Sequence, residues 1–404
     1  MTIEYLAPGI KCDLACTYCY QNSMRDAGNF GPKTDWEKVR AEIDKQGTDF
    51  TVFGGEVLLT PKEHLREVFE YGFKKFGKNG VQTNLLRLDD DHIKMFKDYN
   101  VHAGVSIDGY WPQNSPRSTK EQTERIVANL HKLAEAKVSF SLIITIHRRN
   151  ALDDQLHYFI QDMLDLGVNS INYHDLEVED ESIQTDLGLS PEETLDAFIR
   201  LYRKFHHLAV HNAAPFSDIR RLLTVINAEA NCTWKACDVL TTPAVHGIMP
   251  DGSLANCGRA IKDGVNWVKN TDEHKNERYI ALYNTPQEYG GCKGCQYFYA
   301  CKGQCPGTAI DGDWRNKTSM CEFWFGLIGY IHADLKAKGI ACLTSEEMED
   351  LGLKVSIGKP DHNDTVHQDT PHVDWHQDHN DMGQTKVYNL QDLINDAETK
   401  LQAR

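Results

Sequence analysis

The chain has 404 residues, enough for two or three domains, and 41% of them are hydrophobic while 25% are charged, an ordinary globular balance. A formal net charge of −16 excludes a general attraction to nucleic acid or to an anionic membrane. The sequence has no apolar run of about 20 residues that could cross a membrane, and its start, MTIEYLAPGIKC, lacks the basic and apolar regions of a secretory signal. We therefore expect a cytoplasmic protein whose twelve closely grouped cysteines bind metal rather than form disulfides.

Short apolar runs alternate with amphipathic segments over residues 1–180. We predict strands at Ile3–Ile10, Phe50–Phe53, Gly80–Thr83, Ala103–Ile107, Phe140–Ile146 and Ser170–Tyr173. Predicted helices lie between them at Asp35–Lys45, Pro61–Phe76, Asp89–Tyr99, Lys120–Ala136 and Leu152–Leu166. This alternation predicts an α/β fold, an incomplete (β/α)6 barrel of the TIM type, in which functional residues lie at the C-terminal strand ends.

Three local signals predict where helices begin. Thr60 before Pro61 has the pattern of an N-cap followed by proline at the first helical position. The segment from Thr34 to Glu37 has the spacing of a capping box. Ser190-Pro191 opens a further helix that we expect to reach about His211.

The composition changes after this helix. We predict a partial barrel at residues 1–212, a connector at 213–231, a cysteine-rich domain at 232–343 and a tail at 344–404. The cysteine-rich domain contains many glycines and turn residues and little periodicity, which indicates a region ordered by metal rather than by a large apolar core.

The first cysteine group has the spacing C-x3-C-x2-C, at Cys12, Cys16 and Cys19, directly after the first predicted strand. Three thiolates can hold three irons of a [4Fe–4S] cluster and leave the fourth iron open to the amino and carboxylate groups of a ligand. The alternative is a zinc knuckle, which would require a fourth Cys or His close by.

This motif resembles that of the radical S-adenosylmethionine (SAM) superfamily. The resemblance implies an enzyme that reductively cleaves SAM to methionine and a 5′-deoxyadenosyl radical, which then takes a hydrogen atom from the substrate. It also implies flavodoxin or ferredoxin as the reductant and an anaerobic cytoplasm as the working environment.

Further motifs extend the resemblance over the first half of the chain. Gly54-Gly55-Glu56 resembles the family's GGEP motif, with Val57 in place of proline, and Glu56 is expected to meet the ammonium group of SAM. Gln82-Thr83-Asn84 and Ser106-Ile107-Asp108-Gly109 resemble the branch that includes anaerobic sulfatase-maturating enzymes. Carried over by position, the contacts to SAM are Tyr18, Gly54, Gly55, Glu56, Ser106, Arg117 and Leu176.

The second cysteine group resembles the SPASM domain through the run C-x2-C-x5-C-x3-C-x15-C that begins at Cys292. The resemblance implies two auxiliary [4Fe–4S] clusters and therefore three clusters in all. One would be held by Cys232, Cys237, Cys257 and Cys305, and the other by Cys292, Cys295, Cys301 and Cys321. If Cys232 does not bind, the first auxiliary cluster has an open iron. Zinc in the same cysteines is the alternative, and Cys342 is left over.

The resemblance favours a peptide substrate but not one particular reaction. In sulfatase maturases, an aspartate that serves as a base directly follows the cysteine equivalent to Cys257, where this chain has Gly258. We therefore predict a maturase of ribosomally made peptides that forms a crosslink or another modification. The alternatives are formylglycine formation, radical chemistry on a small molecule, and non-catalytic electron transfer. With only eleven residues before Cys12, we expect no leader-binding domain there, so recognition would need a separate protein, another surface or a non-peptide substrate.

The tail contains a segment at 361–381 that is rich in histidine and aspartate. Its histidines are His362, His367, His372, His376 and His379. Three hypotheses compete for this segment: a solvated polar strip, a metal site, and a lid or substrate-like segment over the barrel mouth.

Overall fold

The computed structural model describes residues 2–151, 154–178, 180–208, 211–224, 245–255, 257, 282, 292–313, 315–342 and 344. The chain divides into two compact units, one of residues 1–218 and 243–269 and the other of residues 219–242 and 270–404. Cys232, Cys237, Gly258 and the segment 361–381 lie outside the described residues, so the hypotheses about them remain predictions.

The first unit contains a sheet of nine strands in the order β7-β6-β5-β4-β3-β2-β1-β8-β9. The strands are β1 Thr2–Leu6, β2 Phe50–Phe53, β3 Asn79–Thr83, β4 Val101–Ser106, β5 Phe140–Ile146, β6 Ser170–Asp175, β7 Asn212–Ala214, β8 Val245–Ile248 and β9 Leu254–Ala255. All neighbours are parallel except β8 and β9, which are antiparallel. The predicted α/β fold with a parallel sheet is confirmed.

The helices of the first unit occupy the connections between the strands. They are α1 Asn22–Asp26, α2 Trp36–Gln46, α3 Lys62–Phe76, α4 Asp90–Asp98, α5 Lys120–Glu135, α6 Arg148–Ala151, α7 Gln155–Asp165, α8 Glu181–Leu187 and α9 Pro191–Leu201, and α10 Phe216–Thr224 continues into the second unit. Apolar side chains of the central strands, such as Ala103, Val105 and Leu142, are fully buried. The longer helices α3, α5 and α7 each bury an apolar face, as strand–helix alternation requires.

The element bounds differ from the predictions at several ends. The first strand stops at Leu6 rather than Ile10, because the chain turns over the next four residues. β7 and β8 were not predicted, since they have only three and four residues and contain Asn212 and His246 in place of a continuous apolar run. The predicted connector at 213–231 begins inside β7 and includes α10.

Two helix starts and one helix end also differ. Pro61, not Thr60, is the N-cap of α3, so that helix begins one residue later than predicted. Asp35 caps α2 by accepting a hydrogen bond from the Lys38 N–H, and Thr34 is exposed before it. The helix that begins at Pro191 is α-helical to Leu201 and continues as a π-turn over Tyr202–His206.

The register of the parallel strands determines where the site lies. Thr83 pairs with Val105, and Ser106 pairs with Ile143, so successive strands end at the same edge of the sheet. The segments that follow β1 to β5 therefore meet there, as expected for a partial barrel.

Besides the end of α10, the described residues of the second unit form the α-helices α11 Phe298–Cys301 and α12 Cys321–Ala337. Both start or end at a cysteine, and Leu282, Cys292 and Phe298 form a small apolar cluster beside them. Across the described part of the chain, the helices include none that is both long and apolar enough for a membrane span.

Candidate active site

Cys12, Cys16 and Cys19 lie on the loop between β1 and α1 and line one open cavity of about 130 Å³. The loop is fixed by backbone hydrogen bonds, from the Cys19 N–H to the Cys16 carbonyl (3.1 Å) and from the Thr17 N–H to the Pro116 carbonyl (2.8 Å). Three thiols on one short, braced loop are thus presented to the same space.

Asp13 connects this loop to the end of β3. Its carboxylate accepts hydrogen bonds from Asn84 Nδ2 (2.9 Å) and Arg87 Nε (2.7 Å). Asn84 and its neighbours Gln82 and Thr83 line the cavity, so the residues of the predicted Gln-Thr-Asn motif lie next to the cysteine loop.

Gly54 and Gly55 line the cavity from the end of β2. The Gly55 N–H donates to the Gly9 carbonyl (2.9 Å), and the Glu56 N–H donates to the Lys11 carbonyl (2.7 Å). A Cβ on Gly55 would lie 2.1 Å from the Lys11 carbonyl oxygen, so no larger residue has room there. Glycine thus allows the backbone after β2 to pack directly against the cysteine loop.

Glu56 is fully buried, and its carboxylate is occupied by hydrogen bonds from neighbouring residues. It accepts hydrogen bonds from the Leu58 N–H (2.9 Å), Thr83 Oγ1 (2.6 Å) and the Asn84 N–H (2.6 Å). The residues that line the cavity do not include Glu56 within the described part of the chain. In this arrangement Glu56 ties the end of β2 to the end of β3, and the predicted contact with the SAM ammonium remains a prediction.

The same burial makes Glu56 sensitive to pH. Burial raises its pKa to about 7, against the opposing effect of hydrogen bonds from Thr83, Asn84 and Leu58. Because the folded-state pKa lies above the unfolded value of about 4.5, the neutral carboxyl contributes fully to stability below that pH. This contribution is lost as the pH rises through about 7.

We expect the stability advantage of the wild type over Glu56→Gln to fall by about 3 kcal/mol between about pH 4.5 and 7, since glutamine does not ionise. Urea denaturation of both proteins across this range measures the difference, and the lost acceptor oxygen adds only a constant offset. An advantage that grows with pH would show that the three hydrogen bonds outweigh burial.

A buried network of charged and polar groups lies behind the cysteine loop. Arg117 Nη1 donates to the Tyr18 hydroxyl (2.7 Å), and that hydroxyl donates to Asp108. Asp108 is fully buried, 3.6 Å from Arg117 and 3.5 Å from His147 Nε2. Although burial acts to raise the pKa of Asp108, the charge of Arg117 and the interaction with His147 hold it below its usual value.

Arg117 and Ser106 complete the cavity lining opposite the glycines. Arg117 Nε is buried and has no hydrogen-bond partner among the described residues. A buried, unpaired guanidinium N–H beside a cavity fits an anionic group such as the carboxylate of SAM. The residues present are therefore compatible with this cofactor.

Two predicted contacts lie further from the cavity. Tyr18 is held under the loop by Arg117 and Asp108, and Leu176 follows β6 in a half-buried position. Neither belongs to the cavity lining within the described residues. Asp108 belongs to the Ser-Ile-Asp-Gly motif but was not predicted as a site residue, and neither was His147, although both are titratable residues just after an apolar strand.

The second unit contains a separate cavity, lined by the four thiols of one predicted set. They are Cys292, Cys295, Cys301 and Cys321, with Lys317 and Thr318 beside them. Burial, together with the charges of the neighbouring thiols, raises the pKa of Cys301. A donor set of four thiols is suited to an iron–sulfur cluster or to zinc.

The other predicted set is only partly described. Cys257 follows β9 in the first unit, after the Asp251-Gly252-Ser253 turn, and Cys305 lies in the second unit. Among the described residues, no three or more His, Cys, Asp or Glu side chains converge as ligands of a single metal ion.

The chain is similar to a known protein family and to two known proteins. Residues 6–160 match the Radical SAM superfamily. The antilisterial bacteriocin subtilosin biosynthesis protein AlbA of Bacillus subtilis (strain 168) is 24% identical over 237 residues, 56% of this chain and 50% of AlbA. A serine-type anaerobic sulfatase-maturating enzyme of Bacteroides thetaiotaomicron is 21% identical over 348 residues, 74% of this chain and 80% of that enzyme. The match to AlbA thus spans half the length of that relative.

The fold is shared with a solved structure, native anSMEcpe with bound AdoMet and Cp18Cys peptide. The TM-score is 0.67 at 18% identity, and the match covers 84% of this chain and 99% of that one. The three-cysteine loop lies within residues 6–160, the part of the chain that matches the Radical SAM superfamily.

Proposed function

We propose that this protein is a peptide-modifying radical SAM enzyme. It cleaves SAM to a 5′-deoxyadenosyl radical, removes a hydrogen atom from a peptide residue and forms a crosslink or a related modification. The observation that carries the proposal is the cavity in which Cys12, Cys16 and Cys19 face Ser106 and Arg117. A [4Fe–4S] cluster on these thiols would supply the electron that opens the cofactor.

The residues around the cavity have separate tasks in this proposal. Arg117 orients the carboxylate of SAM. Its Nε has no hydrogen-bond partner among the described residues, and its Nη1 is held by the Tyr18 hydroxyl. Gly54 and Gly55 let the backbone approach the methionine part of SAM, and Ser106 lines the same cavity. Leu176 is a further proposed contact, carried over by its position after β6. Glu56 holds the ends of β2 and β3 in place for these contacts.

Auxiliary clusters would accept the electron released when the product radical becomes the closed-shell product. Cys292, Cys295, Cys301 and Cys321 share one cavity, which supports one such cluster. The second, on Cys232, Cys237, Cys257 and Cys305, is proposed from spacing. Clusters with four cysteine ligands have no open iron and are suited to electron transfer.

A peptide substrate is favoured by the relatives. AlbA is a bacteriocin biosynthesis protein, and the structure with the shared fold has a bound peptide. Formylglycine formation is the second candidate, because a sulfatase-maturating enzyme also matches over most of this chain. Gly258 argues against formylglycine formation, because glycine has no side chain that accepts a proton. The proposed setting is an anaerobic cytoplasm with flavodoxin or ferredoxin as reductant and a separate leader-binding protein.

Anaerobic reconstitution with iron and sulfide, followed by reduction in the presence of SAM, tests the proposal. We expect 5′-deoxyadenosine to be released and a small peptide encoded near this gene to change in mass. A loss of hydrogen indicates a crosslink, while conversion of Cys or Ser to formylglycine would support the second candidate. Bound zinc without deoxyadenosine would contradict the radical mechanism, and turnover of small molecules alone would contradict the peptide substrate.

A further inference from the structure

We propose that Lys317 raises the reduction potential of the cluster bound by Cys292, Cys295, Cys301 and Cys321, by fixing a positive charge beside it. The inference rests on the proposed four-iron cluster at these thiols. It concerns a residue that belongs to neither cysteine motif and that the reaction proposed above does not use.

Lys317 lines the same cavity as the four thiols. Its backbone is anchored independently of any cluster, because its carbonyl accepts from the Ile310 N–H (3.0 Å) and the next N–H, of Thr318, donates to the Gly303 carbonyl (3.2 Å). The Thr318 hydroxyl also bonds to the Thr308 hydroxyl at 2.9 Å. The segment that carries Lys317 is therefore braced against the loop between Cys301 and α12.

Lys317 is a partly buried cation in the lining that the four thiols share. Cysteines bind metal as thiolates, so this cation lies among ligands that carry negative charge when a cluster is bound.

The same electrostatics apply to the bound cluster. One-electron reduction adds one negative charge to the cluster, with no bond made or broken and no proton required. In a buried site of low dielectric, a neighbouring ammonium stabilises the reduced form more than the oxidised form. A higher potential makes the cluster a better acceptor for an electron from the substrate radical.

Lys317→Gln is therefore expected to lower the midpoint potential of one auxiliary cluster. The matched control is Lys293→Gln, because Lys293 lies between two of the ligands but its side chain is exposed and outside the cavity lining. Lys317→Arg keeps the charge and should remain close to the wild type. Lys317→Met provides the same loss of charge if the glutamine variant does not assemble.

The potentials are measured by dithionite titration followed by electron paramagnetic resonance, in a background where Cys12, Cys16 and Cys19 are replaced by alanine. The transition that Cys292→Ala removes belongs to the cluster in question. A lower midpoint only in the glutamine and methionine variants at position 317 supports the proposal. Unchanged midpoints in those variants, or an equal shift in Lys293→Gln, would overturn it. A wild-type protein without that transition would instead overturn the proposed cluster.

Discussion

Replacing Cys16 with alanine is expected to abolish the release of 5′-deoxyadenosine and to remove about four iron atoms per chain. Cys16 is the most buried of the three loop thiols, and burial raises its pKa to about 11. The thiol therefore stays protonated at neutral pH until metal displaces the proton. Without Cys16, only two of the three predicted cysteine ligands remain on the loop.

The matched control is Cys342→Ala, because Cys342 is also buried but belongs to none of the three predicted sets of ligands. Its iron content and deoxyadenosine release should remain close to the wild type. Iron, sulfide and deoxyadenosine are measured on anaerobically reconstituted proteins. Full iron content and cleavage in Cys16→Ala would show that the loop does not hold the catalytic cluster.

Gly55→Ala is expected to reduce SAM cleavage nearly as strongly, although no ligand is removed. The added Cβ would lie 2.1 Å from the Lys11 carbonyl oxygen and 2.6 Å from the Ile10 carbonyl carbon. These are backbone atoms at the start of the cysteine loop, so the loop itself must move. Overpacking of this kind typically costs about 1–3 kcal/mol and displaces the groups that face the cavity.

Gly104→Ala controls for the change from glycine to alanine within the same sheet. Its added Cβ would meet the Val81 carbonyl oxygen at 3.5 Å, an ordinary contact distance. We expect Gly104→Ala to retain cleavage while Gly55→Ala loses it, with the melting temperature recorded for both. Equal activity in the two variants would show that the close approach at Gly55 is not required.

The strands were predictable where a strand is a continuous apolar run. β2, β4 and β5 consist largely of apolar and small residues, and at least every second residue in them is buried. β7 and β8 are short and more polar, and their places in the sheet depend on pairing with distant strands. Helix starts were less certain because several polar residues in a row compete for the N-cap, as Thr34 and Asp35 do.

The candidate site shows the same difference between features encoded locally in the sequence and features that depend on distant contacts. The sequence by itself determined which thiols of the first group lie together, because Cys12, Cys16 and Cys19 fall within eight residues and must share a loop. It also predicted a second set, Cys292, Cys295, Cys301 and Cys321, within 30 residues. Only the tertiary structure decided that the Glu56 carboxylate accepts a hydrogen bond from Thr83 and that Asp108 lies beside Arg117 and Tyr18. It also decided that Lys317 lines the same cavity as four thiols. These contacts depend on how strand ends and loops meet in space, which spacing along the chain does not encode.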